Sequence, residues 1–436
     1  MIRSVEVFLW GRRIGILHQA APDVPVYFEY DRSFVNSGIE VAPFMMPLSS
    51  RLYSFQELPE NSFHGVPGMI ADSLPDRFGN AVIDHWLSGQ GRAPESFTAL
   101  DRLCYTGKRG MGALEYVPAT GPDFSGNRID ISEMAKFAAE ILSERETKSI
   151  NEHNAHLAEL LEIGSSAGGA RAKAIIAWNE VTGEIRSGQI QAGDGFRYWL
   201  LKFGDISGNG DHGVKDEKQY TQIEYAYYKM AKDLDISMQE CRLYEKDGVK
   251  HFLTERFDRI DNRKVHMQTL AALIHSDFNM PGSCSYEMYA EYAKRLNISL
   301  DGIKQIYRRM VFAVIGMNCD DHVKNFSFLM DKNGRWTLSP AYDITYAYKP
   351  GNKWIAGHQM TIAGKRNGIT EQELLSCGKS MELSREFCKS VIAHTKEVVS
   401  DWMSYAQQCD ITEERALSVA NGIDLSGVVT VRKWQT

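Results

Sequence analysis

The hydrophobic pattern of this chain changes character near residue 262, and that change limits its fold more than any other feature. Before it, short alternating runs and compact apolar stretches dominate; after it, most apolar runs have helical spacing. Ile2, Val5, Val7 and Leu9 alternate with Arg3 and Glu6, and Gly11-Arg12-Arg13 turns the chain into Ile14–Leu17, which predicts a β-hairpin. Val26–Tyr30 and Ile39–Phe44 predict further strands. Pro67–Gly89 predicts two helices, with Pro75 starting the second. Residues 105–127, rich in Gly and Pro, suit a connection between subdomains.

Asp130–Glu146 predicts an amphipathic helix capped by Asp130 with Glu133, and 154–163 a short helix. Strands are expected at Ala174–Trp178 and Tyr198–Phe203, a helix at Tyr220–Leu234, and a hairpin from Cys241–Tyr244 and His251–Phe257. Farther on, helices are expected at 285–295, 300–316, 370–405 and 411–421, interrupted by a hairpin of Phe326–Met330 and Arg335–Ser339.

Composition excludes some classes of function. At 43% hydrophobic and 24% charged residues, the chain can bury a core. Forty-nine Lys and Arg against 56 Asp and Glu leave a net charge of −7, which argues against gripping nucleic acid with the whole surface. The longest apolar run, Met310–Met317, is far short of the roughly 20 residues of a membrane helix. No apolar signal segment opens the sequence. Seven cysteines, widely spread and without a CxxC, read as reduced thiols of a cytoplasmic protein.

The densest polar cluster is Asn318-Cys319-Asp320-Asp321-His322-Val323-Lys324-Asn325, between an apolar helix end and a hairpin. Asp343 follows 18 residues after Asn325, and the hairpin would bring it back beside Asn325. An Asp, an Asn and a second Asp meeting in this way is how a kinase holds a base and Mg²⁺. The plainer alternative is a capped helix end followed by an Asp-rich turn. A second cluster, Gly164–Lys173, could bring backbone N–H groups to phosphate, or could be an ordinary loop. A third is Lys202 in an apolar strand, costly to bury unless paired. Glu224 on the next helix is the candidate partner. Glu255–Asp258 stands where a lobe hinge would be. The histidines have no metal-ligand spacing, so no metal beyond Mg²⁺ is read.

These residues resemble the HipA-family serine/threonine kinases, the toxin half of bacterial HipBA-type toxin–antitoxin modules. The likeness covers the N-terminal β unit, Ser73-Leu74-Pro75-Asp76, the 164–173 loop and Leu201-Lys202. It continues through Glu255–Arg259, Asp320-x-His322-x-Lys324-Asn325-Phe326 and Pro340-Ala341-Tyr342-Asp343. Ala172 stands where many members have Pro or Glu, and Gly164 where some carry a further serine.

The resemblance implies an α+β, two-lobed, protein-kinase-like fold. Its implied parts are a β-rich N-terminal subdomain (1–120), an ATP-binding part (121–260) and a helical lobe with the catalytic loop (261–436). It implies Asp320 as the catalytic Asp, Asn325 and Asp343 as Mg²⁺ ligands, and Lys202 on ATP phosphate. Glu255 and Phe257 would offer backbone groups to adenine. Asp258 and His322 would approach ribose or phosphates, and Ala167, Gly168, Gly169, Lys173 and Lys324 would belong to the nucleotide site. Ser166 matches the serine that such kinases autophosphorylate.

Further implied are ATP and Mg²⁺ as cofactors, a small helix-turn-helix HipB-like antitoxin as partner, and DNA contact mainly through that antitoxin. The implied substrate is a protein such as an aminoacyl-tRNA synthetase. A small-molecule phosphotransferase on the same fold, or a silent antitoxin-binding co-repressor, are the competing readings.

Overall fold

The computed structural model describes residues 2–21, 24–121, 128–144, 171–189, 191–206, 210–211, 214–215, 218–260, 262–428 and 430–432. The expected helix at 154–163 and loop residues 164–170 lie outside them.

The first sheet is four-stranded and antiparallel, in the order β3-β2-β1-β4. Its strands are β1 (Ser4–Leu9), β2 (Arg12–His18), β3 (Tyr27–Tyr30) and β4 (Leu114–Val117). The alternation puts Val5, Val7 and Leu9 into the core. Strand β4 comes from the stretch expected to be only a connection. Conversely, Ile39–Phe44 is not a strand. Pro43 offers no N–H, the Glu40 carbonyl accepts from the Trp336 indole at 3.3 Å, and the Val41 carbonyl accepts from the Gln268 amide. The backbone there bonds to side chains of a later sheet instead of a ladder.

Helix α1 (Arg77–Gly89) begins at its Asp76 cap, which accepts from the Gly79 N–H at 2.6 Å; Pro75 stands just outside. Thr98 and Asp101 form a capping box at the start of α2 (Ala99–Thr106). Asp130 accepts from the Ser132 and Glu133 N–H groups as α3 (Ile131–Glu144) starts.

The second sheet has five antiparallel strands: β5 (Lys173–Asn179), β6 (Glu184–Ser187), β7 (Arg197–Lys202), β8 (Cys241–Lys246) and β9 (Val249–Glu255). Their order is β8-β9-β7-β5-β6, and α4 (Tyr220–Asp233) packs on β8 and β9. A third sheet joins β10 (His266–Thr269), β11 (Ser327–Met330) and β12 (Trp336–Leu338). Around it lie α5 (Leu270–Ile274), α6 (Tyr286–Arg295), α7 (Leu300–Ile315), α8 (Glu371–Ser380), α9 (Arg385–Ser400), α10 (Trp402–Gln408) and α11 (Glu413–Asp424). The stretch 370–405, expected to be helical, is divided among three helices, α8, α9 and α10.

The core is divided in an instructive way. The first sheet shares one continuous apolar cluster with the helices after residue 262. Helix α1 instead packs Phe78, Val82, Ile83 and Leu87 with α3 and the five-stranded sheet. Each such buried side chain contributes roughly 1.5–3 kcal/mol. The N-terminal 120 residues thus grip both halves of the molecule, passing from one cluster to the other between Leu74 and Phe78 and again between Cys104 and Tyr105.

Candidate active site

Helix α7 is fully apolar where it ends, with Met310, Val311, Phe312 and Ile315 buried. That anchorage fixes the origin of the polar segment 318–325. A short turn, Val323–Asn325, leads into β11. The tight β11–β12 turn is closed by Asp331, whose carboxylate accepts the N–H groups of Asn333 and Arg335. The chain then returns to Asp343. Tyr286, Asn318, Asp320, Asn325, Tyr342 and Asp343 all line one small cavity. The Asn325 amide nitrogen donates to the Asp320 carbonyl at 2.9 Å, and His322 Nε2 lies 3.9 Å from the Asp320 carboxylate.

Lys202 ends β7, buried, with Nζ 2.6 Å from Glu224 Oε1 on α4 and in contact with the Asp343 carboxylate. Burial opposes its charge, but Asp343 and Glu224 hold its pKa well above the ordinary lysine value. Asp343 is likewise pushed up by desolvation and pulled down further by Lys202 and then Lys173, so it stays below the ordinary carboxylate value. Burial wins at Glu224, which is raised although Lys202 resists the shift.

Lys173 stands opposite Lys202 in the β5–β7 register and pairs with Asp76 at 3.1 Å, both side chains almost fully buried. Lys324 lies over the Phe278 ring at 4.5 Å. Desolvation lowers the Lys324 pKa, while Asp72 and Asp76 oppose that fall. Asp72 in turn accepts the N–H and hydroxyl of Thr269 at 2.7 and 2.9 Å.

The residues expected at a lobe hinge divide. Phe257 packs its ring on Tyr342 at 5.7 Å. Glu255 spends its side chain on Arg197 at 2.9 Å and its N–H on the Glu240 carbonyl, so that N–H is not offered to a base. Asp258 is buried between Arg256 and Arg259, 2.8 Å from each, and accepts the Gly112 N–H at 2.8 Å. Desolvation is outweighed by Arg256 and then Arg259, which hold its carboxyl well below the usual range. Asp258 ties this segment to the N-terminal unit and is not among the residues lining the cavity around Asp320. Ser166, Ala167, Gly168 and Gly169 lie outside the described residues.

Three contributors, Asp76, Asp321 and Tyr342, entered the sequence reading only inside quoted motifs, without their partners. Asp76 was visible only as part of Ser73–Asp76. Asp321 is buried and accepts the Tyr286 hydroxyl at 3.0 Å, His358 Nδ1 at 2.9 Å and the Gln359 N–H at 2.6 Å. These three bonds anchor the loop, and Asp321 lines the same cavity as Asp320. Tyr342 joins the two segments that carry Asn325 and Asp343.

Among the described residues no cluster of three His, Cys, Asp or Glu could hold a metal. The cavity donors are hard oxygens instead. Asp343 brings a carboxylate, and Asn325 an amide whose nitrogen is already bonded. Asn318 Oδ1 is buried there without a hydrogen-bond partner among the described residues. Such a set fits Mg²⁺, which takes one or two protein ligands and otherwise water and phosphate oxygens.

No helix among the described residues is long and apolar enough to cross a membrane. All seven cysteines are free and buried.

A provisionally named kinase of Haemophilus influenzae is 27% identical over 160 residues, 33% of this chain and 47% of that protein. The provisionally named kinase Y4dM of Sinorhizobium fredii is 25% identical over 228 residues, 48% of this chain and 54% of that protein. The chain thus spans about half the length of these curated relatives. A chain of the Shewanella oneidensis MR-1 toxin–antitoxin complex of HipA, HipB and operator DNA shares its fold. The TM-score is 0.64 at 16% identity, over 97% of this chain and 95% of that one. Residues 5–117 match the HipA N-terminal domain and residues 165–402 the HipA-like C-terminal domain. With both domains present in order, the chain belongs to the HipA family.

Proposed function

We propose that this protein is an ATP/Mg²⁺-dependent serine/threonine protein kinase and the toxin of a HipBA-type pair. The observation that carries this is the convergence of Lys202, Glu224 and Asp343 beside the cavity lined by Asp320 and Asn325. A cation held between two carboxylates is pre-set to meet phosphate without reorganising. Asp320 accepts the proton of the acceptor hydroxyl as its oxygen bonds to the γ-phosphorus; the bond to the β–γ bridging oxygen breaks and ADP leaves. Asn325 and Asp343 hold Mg²⁺, which neutralises charge on the phosphates. Lys173 and Lys324, each with an acidic neighbour, add positive charge on the same side.

The parts are the N-terminal subdomain 1–120, the ATP-binding part 121–260 and the helical lobe 261–436. Membership of the HipA family and the fold shared with the Shewanella complex support a small helix-turn-helix HipB-like antitoxin as partner, with DNA reached mainly through it. The acceptor is a protein, such as an aminoacyl-tRNA synthetase, in the cytoplasm, and Ser166 is the site of autophosphorylation.

The test is to incubate pure protein with Mg²⁺-ATP and map phosphate by mass spectrometry. Phosphate on Ser166 is expected. ATP consumed only on an added metabolite would make the chain a small-molecule kinase. Neither phosphate nor ATP binding would leave an antitoxin-binding co-repressor.

A further inference from the structure

The residues immediately before the two metal ligands are bonded to each other. Tyr342, which precedes Asp343, donates its hydroxyl proton to the carbonyl of Lys324, which precedes Asn325, at 2.9 Å. The same tyrosine oxygen meets the fully buried Ser327 hydroxyl, at the start of β11. With the tyrosine proton spent on Lys324, Ser327 donates. The Tyr342 ring is steadied by Phe257 from the hinge. Asp343 itself adopts a left-handed backbone, φ 53°, which a residue with a side chain rarely holds without support from its surroundings.

Asn325 and Asp343 therefore come from separate segments, and the tyrosine hydroxyl fixes one against the other. We infer that Tyr342 is a positioning residue for the divalent cation: its hydroxyl sets the spacing of Asn325 and Asp343. This rests on the kinase reading above. A small oxygen-rich site pays heavily for misplacement, because Mg²⁺ demands near-octahedral geometry and tolerates little slack. Partners one step removed from a metal fix its ligands in the same way.

Tyr342→Phe removes the hydroxyl and keeps the ring. Mn²⁺ serves as a spectroscopic stand-in for Mg²⁺, titrated by electron paramagnetic resonance with a non-hydrolysable ATP analogue present. The Mn²⁺ dissociation constant is expected to rise about 10-fold. The affinity for the analogue without metal, carried by the lysines, should stay within about twofold, since no ligand to phosphate is altered. Ser327→Ala removes one of the hydroxyl's two partners and should give a smaller rise. It replaces the first variant if Tyr342→Phe does not fold.

A lower melting temperature with unchanged Mn²⁺ affinity in both variants would make the tyrosine merely structural and overturn the inference. Wild-type protein that binds neither Mn²⁺ nor the analogue would instead overturn the kinase reading, and the inference with it.

Discussion

One buried ammonium serves two carboxylates: Lys202 Nζ lies 2.6 Å from Glu224 and touches Asp343. Glu224 belongs to the half that carries the five-stranded sheet and Asp343 to the half built around the polar segment 318–325. A single cation therefore links the two halves at the point where phosphate is expected to bind.

Lys202→Met should lower ATP turnover by roughly 10²- to 10³-fold, the usual loss when a pre-set charge partner is removed. It also leaves Glu224 and Asp343 facing each other without a cation. Steady-state ATP turnover, with circular dichroism as the control for folding, checks this. A loss below about tenfold in a folded variant would remove Lys202 from the phosphate site.

Stability should fall with acid. Burial lowers the pKa of His251 to about 4, His266 to about 3 and His275 to about 4, from an ordinary 6.5. His251 Nδ1 and His275 Nε2 accept backbone N–H groups, from Gly204 and Gly68, so both rings are held neutral. The folded state then binds fewer protons than the unfolded chain. The contribution is fully present above pH 6.5 and is lost as pH falls toward 4. Each histidine adds a slope of about 1.4 kcal/mol per pH unit within that window. Urea unfolding at pH 7, 6 and 5 measures it; equal midpoints at all three would contradict the burial of these rings.

Asp321→Asn should destabilise the protein by about 1–3 kcal/mol. It removes the charge that accepts from Tyr286, His358 and Gln359 and turns one acceptor into a donor. The segment 318–325 is then less firmly held, so the activity proposed for it should fall with stability. Urea titration followed by tryptophan fluorescence reads the first effect. An unchanged midpoint would mean that these three bonds are not formed in solution.

The strand pattern was legible wherever side chains alternate between core and solvent. The hairpin at residues 4–18 follows from it, whereas the strands around Lys202 were legible as compact apolar runs, β5 being buried at five successive residues, and the hairpin that carries Asp343 back to Asn325 from its Asp331–Gly334 turn. Strand β4 was not legible, because Gly and Pro around it read as a connection and only its pairing with β1 makes it a strand. Ile39–Phe44 looked like a strand because short apolar runs fit either a ladder or a bonded loop; the partners that decided it, Gln268 and Trp336, are more than 220 residues away. The polar cluster could be read because loop chemistry is local. Asp76, Asp321 and Tyr342 stood in the quoted motifs, but their partners could not be read, since each partner lies far away in sequence or on the opposite side of the loop. The tie of Asp258 to the N-terminal unit was hidden for the same reason: Arg256 and Arg259 are its neighbours in sequence, yet the Gly112 contact is long-range.

The joint between the N-terminal unit and the helical part should resist any added atom at Gly68. A Cβ there would lie 2.4 Å from the Ala272 carbonyl oxygen and 2.9 Å from its Cα. Backbone on α5 cannot step aside cheaply, so Gly68→Ala should cost about 1–3 kcal/mol. Calorimetry gives the melting temperature; a variant as stable as wild type would show that this joint is looser than the structure has it.

The most direct measurement compares wild type with Asp320→Asn for transfer of ³²P from γ-labelled ATP to protein, under saturating Mg²⁺ and with folding verified. Wild type should become labelled, and Asp320→Asn should transfer at least about 10²-fold more slowly while still binding ATP, because only the group that takes the hydroxyl proton has been lost. Equal labelling of the two proteins would contradict the assignment of Asp320 as the base and, with it, the account of this site.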